Sequence, residues 1–207
     1  MADTLPGFSC AILAGGEGSR LRAEKALLPL GDQYLVETLI ENLRSLFADI
    51  MLVVRSEHSP LRALREKGVR LVTDVLPRKG PLGGIHSALH YSEAPFCFVI
   101  ACDMPFPSLS LLRHMMRQAD GHAAVVPRRG YYIEPLFALY GCALEDPVRV
   151  FLESGRLKIH DFLDEVDVLY VEEAEIDRCD PHGLSFFNIN TPEDLVRAQE
   201  IYLKGTR

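Results

Sequence analysis

The chain has 207 residues, 48% of them hydrophobic and 25% charged, and a formal net charge of −7 at pH 7, so one domain spanning 1–207, with a single substantial core, is expected. The acidic balance speaks against a nucleic-acid partner, whose phosphates demand a surplus of Lys and Arg, but leaves room for a small anionic ligand held by a local cluster of cations. No stretch approaches the roughly 20 apolar residues of a membrane span, and no basic segment followed by an apolar one opens the chain, so a cytoplasmic location away from membranes is expected.

In chain order, apolar runs alternate with helical spacing: a strand at Phe8–Leu13, a helix at Tyr34–Phe47, a strand at Ile50–Val54, a helix at Leu61–Lys67 and a strand at Val69–Val72. After a loop at Thr73–Pro81 come a helix at Leu82–Tyr91, a strand at Phe96–Cys102, a helix at Ser108–Ala119 and a short strand at Ala123–Pro127. Glu134–Tyr140 and Val166–Val171 read as further strands, and Pro192–Leu203 as a closing helix with Thr191 as its N-cap. This alternation predicts an α/β fold, a mostly parallel central sheet with helices on both faces and the loops after its parallel strands along one edge. The five cysteines, Cys10, Cys97, Cys102, Cys142 and Cys179, are odd in number and form no C-x-x-C pair. Buried thiols in a reducing compartment are the simplest account.

The densest chemistry follows the first strand. Gly15, Gly16 and Gly18 lack the Cβ that blocks close approach, so backbone amides there can point at phosphate oxygens, and Arg20 and Lys25 add fixed positive charge. The spacing completes neither G-x-G-x-x-G nor the G-K-[ST] ending of a P-loop. A second site is predicted around Asp103, which ends the apolar run from Phe96 and so sits at the carboxyl end of a central strand. A carboxylate facing a phosphate loop suits Mg²⁺, which takes one or two carboxylates together with substrate phosphates. The alternative is that Asp103 caps the helix near Ser108 or a turn before Pro105. Asp74 follows another strand, and Gly83 and Gly84 open a helix where either a ligand or another element approaches closely. His86 and His90, four apart, lack a third ligand and read as one helix face. Ser19 and Ser87 lack a nucleophile elbow, and the acidic run Glu172–Glu175 reads as solvated surface.

Taken together these landmarks resemble the molybdenum cofactor guanylyltransferases, within the nucleotidyltransferases of three-layer Rossmann-like fold. The family signature L-A-G-G-x-S-x-R-M-G-x-x-K is matched by Leu13, Ala14, Gly15, Gly16, Arg20 and Lys25, and G-P-L-x-G-I by Gly80–Ile85. C-D-M-P-F is matched by Cys102–Phe106, P-L-F-A-L-Y by Pro135–Tyr140 and F-F-N-I-N-T-P-E-D-L by Phe186–Leu195. The chain departs from the pattern at Gly18 and Arg22, and at Arg55 and Ser56, where some members offer the nucleotide an asparagine.

The resemblance implies transfer of GMP from GTP to molybdopterin carrying molybdenum, with release of pyrophosphate. It implies Asp103 on Mg²⁺, Lys25 and Arg20 on the triphosphate, the loop amides from Leu13 through Ala14 and Gly15 to Gly16 on nucleotide and phosphate, and Asp74 on guanine or ribose. Asn188 and Asn190 would border the pterin or help the metal, or else form a turn into the Thr191 cap. Delivery of the product would involve transient contact with molybdoenzymes or other cofactor-biosynthesis proteins. Rival readings are a cytidylyl- or uridylyltransferase of the same fold, acting on molybdopterin or a sugar or alcohol phosphate, and a non-catalytic nucleotide-binding module.

Overall fold

The computed structural model describes residues 5–14, 25–56 and 59–205. Its strands are β1 (Phe8–Leu13), β2 (Pro29–Leu30), β3 (Gln33–Tyr34), β4 (Ile50–Val54), β5 (Arg70–Thr73), β6 (Phe96–Ala101), β7 (Ala124–Arg129), β8 (Tyr132–Ile133), β9 (Phe137–Gly141) and β10 (Val168–Glu172). The helices are α1 (Leu35–Leu43), α2 (Gly80–Tyr91), α3 (Leu109–Arg117), α4 (Glu145–Glu153), α5 (Ile159–Leu163), α6 (Glu173–Cys179) and α7 (Pro192–Gly205).

The main sheet runs β5-β4-β1-β6-β9-β7-β10, with β8 paired to β7. β5, β4, β1 and β6 are mutually parallel, as are β7 and β10, whereas β9 runs against both β6 and β7. The reversal has a local cause. β7 and β9 are sheet neighbours separated by a short hairpin segment, and so short a connection can only join antiparallel strands. A mostly parallel sheet in which only β8 and β9 run against its other described strands is therefore the observed form of the expected α/β fold.

Alternation along the strands splits the core into two layers. On one face Cys10 and Ile12 of β1 pack with Val36, Leu39 and Leu43 of α1 and with Leu111, Leu112 and Met115 of α3. On the other, Ala11 and Leu13 pack with Leu82, Ile85 and Leu89 of α2 and with Val148 and Leu152 of α4. A third, smaller cluster joins Leu30 and Leu35 to Ile189 and Ala198, and ties α7 to the β2–β3 hairpin. Close packing also settles the reading of the paired glycines. A Cβ on Gly84 would stand 3.1 Å from Leu13 Cδ1, and one on Gly83 would stand 2.8 Å from Lys79 Cβ and 3.2 Å from the Leu76 carbonyl oxygen. Both therefore serve the seating of α2 against β1 and the preceding loop.

Several element boundaries differ from the sequence reading. The helix expected at Tyr34–Phe47 is preceded by a small hairpin and spans only Leu35–Leu43, its first turn held by the Glu37 carboxylate accepting from the Tyr34 amide at 2.9 Å. Leu61–Lys67 is a 3₁₀ segment, Pro60–Lys67, not an α-helix. The strand expected over Glu134–Tyr140 is broken, because the Phe137 amide closes a turn on the Glu134 carbonyl. The acidic run Glu172–Glu175 is exposed at Glu172 and Glu173 but ordered, for it caps α6 and Arg128 and Arg129 pair with it. Cys10, Cys97 and Cys102 are buried, Cys142 and Cys179 partly so, and none of the five forms a disulfide.

Candidate active site

Because β5, β4, β1 and β6 are parallel, their carboxyl ends open on one edge, which is where ligands of such sheets bind. The hydrogen-bond ladder continues past each strand: Ala14 N donates to the Val53 carbonyl (3.0 Å), Cys102 N to Leu13 (3.2 Å) and Asp74 N to Val54 (3.0 Å). These bonds fix where Ala14, Asp74 and Asp103 leave the sheet. They also occupy the Ala14 amide, which is closed to a phosphate while the ladder stands. Leu13 and Ala14 are each 2% exposed, with the Leu13 side chain against Gly84. The candidate residues Gly15, Gly16 and Arg20, together with Gly18, Ser19 and Arg22, lie outside the described residues.

Lys25, Asp103 and Asn190 come from three distant parts of the chain and meet on this edge. Lys25 Nζ donates to Asn190 Oδ1 at 3.1 Å and stands 3.8 Å from Asp103 Oδ2, with the lysine and aspartate side chains 19% and 15% exposed. The backbone locks the arrangement, since Ile189 N donates to the Asp103 carbonyl oxygen at 3.0 Å and the buried Ile189 side chain anchors the segment under α7. Asp194 then accepts from the amides of Asn190 (3.0 Å) and Thr191 (2.9 Å), while Thr191 Oγ1 accepts from Asp194 N (3.1 Å). These amides hold the Asp194 carboxyl below its usual range. The reciprocal cap both starts α7 at Thr191 and presents Asn190 to Lys25.

Asp103 does not cap α3; Ser108 does, its hydroxyl accepting from Leu111 N at 3.3 Å. Asn188 turns away from Lys25, its side-chain amide donating to the Phe186 carbonyl at 3.1 Å, so of the two asparagines only Asn190 joins the cluster. Asp74 Oδ1 is buried without a hydrogen-bond partner. Desolvation pushes its carboxyl above the usual range, and the charge of Arg55 acts in the opposite direction. Ser87 is structural: its hydroxyl accepts from Val75 N and donates to the Gly83 carbonyl, both at 2.9 Å, which pins the segment after Asp74 to α2.

His86 also proves structural. It lies on the inner face of α2, 1% exposed, with neither ring nitrogen hydrogen-bonded, and stacks on His90 at 6.3 Å between ring centroids. Burial pushes its imidazole below the ordinary value. As pH falls through about 6.5 the unfolded chain takes up the proton first, so the stability held above that pH is lost on acidification. His86→Leu, which removes the unsatisfied nitrogens, is expected to raise stability by about 1 kcal/mol and to flatten its pH dependence. Urea unfolding at pH 7.5 and 5.5 measures both, and an equally steep pH dependence in the variant would count against this reading.

Among the described residues no helix is long and apolar enough to cross a membrane, and no group of three or more His, Cys, Asp or Glu side chains could hold a metal. The sequence reading gave no role to Asp194 or Arg55. The reciprocal Thr191–Asp194 spacing was a signal for the first, and the departure at position 55 for the second.

The chain is 38% identical over 188 residues to the probable molybdenum cofactor guanylyltransferase of Pelotomaculum thermopropionicum, covering 91% of this chain and 90% of that protein. It superposes on the crystal structure of molybdopterin-guanine dinucleotide biosynthesis protein A from Archaeoglobus fulgidus with a TM-score of 0.79, at 32% identity, covering 95% of this chain and 99% of that one. The 2-C-methyl-D-erythritol 4-phosphate cytidylyltransferase of Thermus thermophilus shares the fold, with a TM-score of 0.66 at 18% identity over 92% and 96% of the two chains. The model of the MobA-like NTP transferase domain matches residues 10–167, and the chain belongs to that family of nucleotidyltransferases.

Proposed function

We propose that this protein transfers GMP from GTP to the terminal phosphate of molybdopterin carrying molybdenum, releasing pyrophosphate and forming the guanine dinucleotide cofactor, in the cytoplasm. The observation that carries the reading is the meeting of Lys25, Asp103 and Asn190 at the carboxyl edge of the parallel strands. In the reaction an oxygen of the acceptor phosphate bonds to the α-phosphorus while the bond to pyrophosphate breaks. Alignment and charge neutralisation suffice, and no side-chain nucleophile is needed.

Lys25 offsets the charge that shifts toward the leaving pyrophosphate, and Arg20 shares that role by resemblance. Asp74 presents acceptor oxygens to guanine N1–H and N2–H, and the backbone from Leu13 through Gly15 to Gly16 lines the nucleotide. Asp103 and Asn190 are oxygen donors suited to Mg²⁺. The described residues offer no larger cluster of acidic, His or Cys ligands, which fits an ion shared with substrate phosphates better than a cage. Bound there, Mg²⁺ would supply charge neutralisation on the phosphate oxygens. With its amide on Phe186, Asn188 is left to a bordering role on the pterin side. Handing on the product calls for transient contact with a molybdoenzyme or another biosynthetic protein.

Pyrophosphate release from purified protein with Mg²⁺, molybdopterin and each nucleoside triphosphate in turn tests this function. Release with GTP is expected. Release with CTP or UTP in its place overturns the base assignment, and GTP binding without release under any condition would make the protein a carrier module.

A further inference from the structure

β4 and β5 end side by side. They are parallel, Val54 stands opposite Thr73, and Asp74 N reaches back to the Val54 carbonyl at 3.0 Å. Arg55 and Asp74 therefore leave adjacent strands, about 4.8 Å apart, at the same level of the ligand-binding edge. Arg55 is exposed and makes no hydrogen bond or ion pair among the described residues. Asp74 Oδ1 is shielded from water and lacks a hydrogen-bond partner. The two are near enough for the guanidinium charge to favour the ionised carboxyl. A cation and an anion are thus held next to each other without being consumed in a hydrogen-bonded pair.

We propose that Arg55 and Asp74 together read the guanine base, Arg55 donating to O6 and N7 while Asp74 accepts from N1–H and N2–H, so that Arg55 is a specificity-determining residue of the nucleotide site. This rests on the guanylyl-transfer reading above. Guanine carries two donors on one edge and two acceptors on the adjoining edge of the same ring system, and the forked guanidinium is matched to the acceptors. Adenine keeps N7 but reverses the polarity at positions 1 and 6. Its N1 lone pair would face the carboxylate, and its 6-amino group would face the guanidinium. Cytosine, with an acceptor at N3 and an amino group at N4, has no counterpart of either guanine edge. Where the resemblance offers a neutral asparagine, this chain has a fixed charge that serves two ends, opposing the desolvation that pushes the Asp74 carboxyl up and contacting the base itself.

Equilibrium binding of GTP, 7-deaza-GTP, ITP and CTP to the wild type, Arg55→Ala and Arg55→Lys, with Mg²⁺ present, separates these contributions. 7-Deaza-GTP lacks only the N7 acceptor, and ITP lacks only the 2-amino group. The wild type is expected to bind GTP about three- to tenfold more tightly than 7-deaza-GTP, the scale of losing one hydrogen bond of a bidentate base contact. Arg55→Ala should bring that ratio to near one while retaining the preference for GTP over ITP. Arg55→Lys, which keeps the charge and loses the fork, should also lose most of the ratio. Since Arg55 is exposed, these variants should fold. A wild type indifferent to N7, or an Arg55→Ala variant that still distinguishes it, overturns the inference and leaves guanylyl transfer standing. A wild type that binds CTP as tightly as GTP overturns both.

Discussion

Asp103→Ala is expected to slow turnover by about 10²-fold or more, the scale of losing one preorganised electrostatic contact, with little change in thermal stability. The two halves of that expectation have separate physical origins. Asp103 follows a buried strand, yet its side chain caps no helix, and its carbonyl, which takes the Ile189 amide at 3.0 Å, is a backbone group that alanine retains. The fold therefore depends little on the carboxylate. In the proposed function the site depends on it, because it supplies the negative charge beside Lys25 and would be an oxygen donor for a cation. Asp103→Asn keeps the shape and removes the charge, so it should fall nearly as far as alanine. Steady-state pyrophosphate release with a thermal melt of each variant measures both quantities. Turnover within a few-fold of wild type, with the melt unchanged, would remove Asp103 from the site.

How much of this could be read from sequence depended on whether a signal was local. β4 was found with the bounds Ile50–Val54 because a strand buried on both faces is a continuous apolar run. α2 starts at Gly80, two residues before the expected Leu82, because Pro81 lacks an amide hydrogen and is welcome in a first turn. α4 was missed although Val148, Phe151 and Leu152 have helical spacing. Pro147 masked it, again as a first-turn proline. α5 and the hairpin strands β2, β3 and β8 are too short to show a period.

At the site the limits were different. Lys25 and Asp103 could each be singled out by chemistry and position, but only the parallel order of β1 and β6 brings them to one edge. Asn188 and Asn190 looked equivalent, two residues apart around an apolar isoleucine. Their fates diverge because Asn188 satisfies itself on a nearby carbonyl, a local competition that no spacing rule reports. The unpartnered oxygen of Asp74 is a property of what surrounds it in three dimensions. So is the electrostatic reach of Arg55.

Lys25→Ala is expected to lower kcat/KM for GTP by about 10²-fold or more, and its combination with Asp103→Ala tests whether the two residues form one machine. Lys25 touches Asn190 at 3.1 Å and approaches Asp103 at 3.8 Å, so it ties two acceptor groups together, and in the proposed function it is also the cation for the triphosphate. In the proposed function, removing it takes away the cation that pairs with Asp103 among the described residues, so the carboxylate would repel the nucleotide phosphates until a metal compensates. Arginine should restore only part of the activity, because its broader planar fork cannot occupy the place of a compact ammonium between the asparagine and the aspartate. Residues that share a partner and act on the same charge lose function non-additively. The double variant should therefore fall well short of the product of the two single losses. Measured kcat/KM values for the wild type, the two single variants and the double variant close the cycle. A product that multiplies cleanly would mean that the lysine and the aspartate serve the reaction independently, and the shared cluster would then be a feature of the resting structure alone.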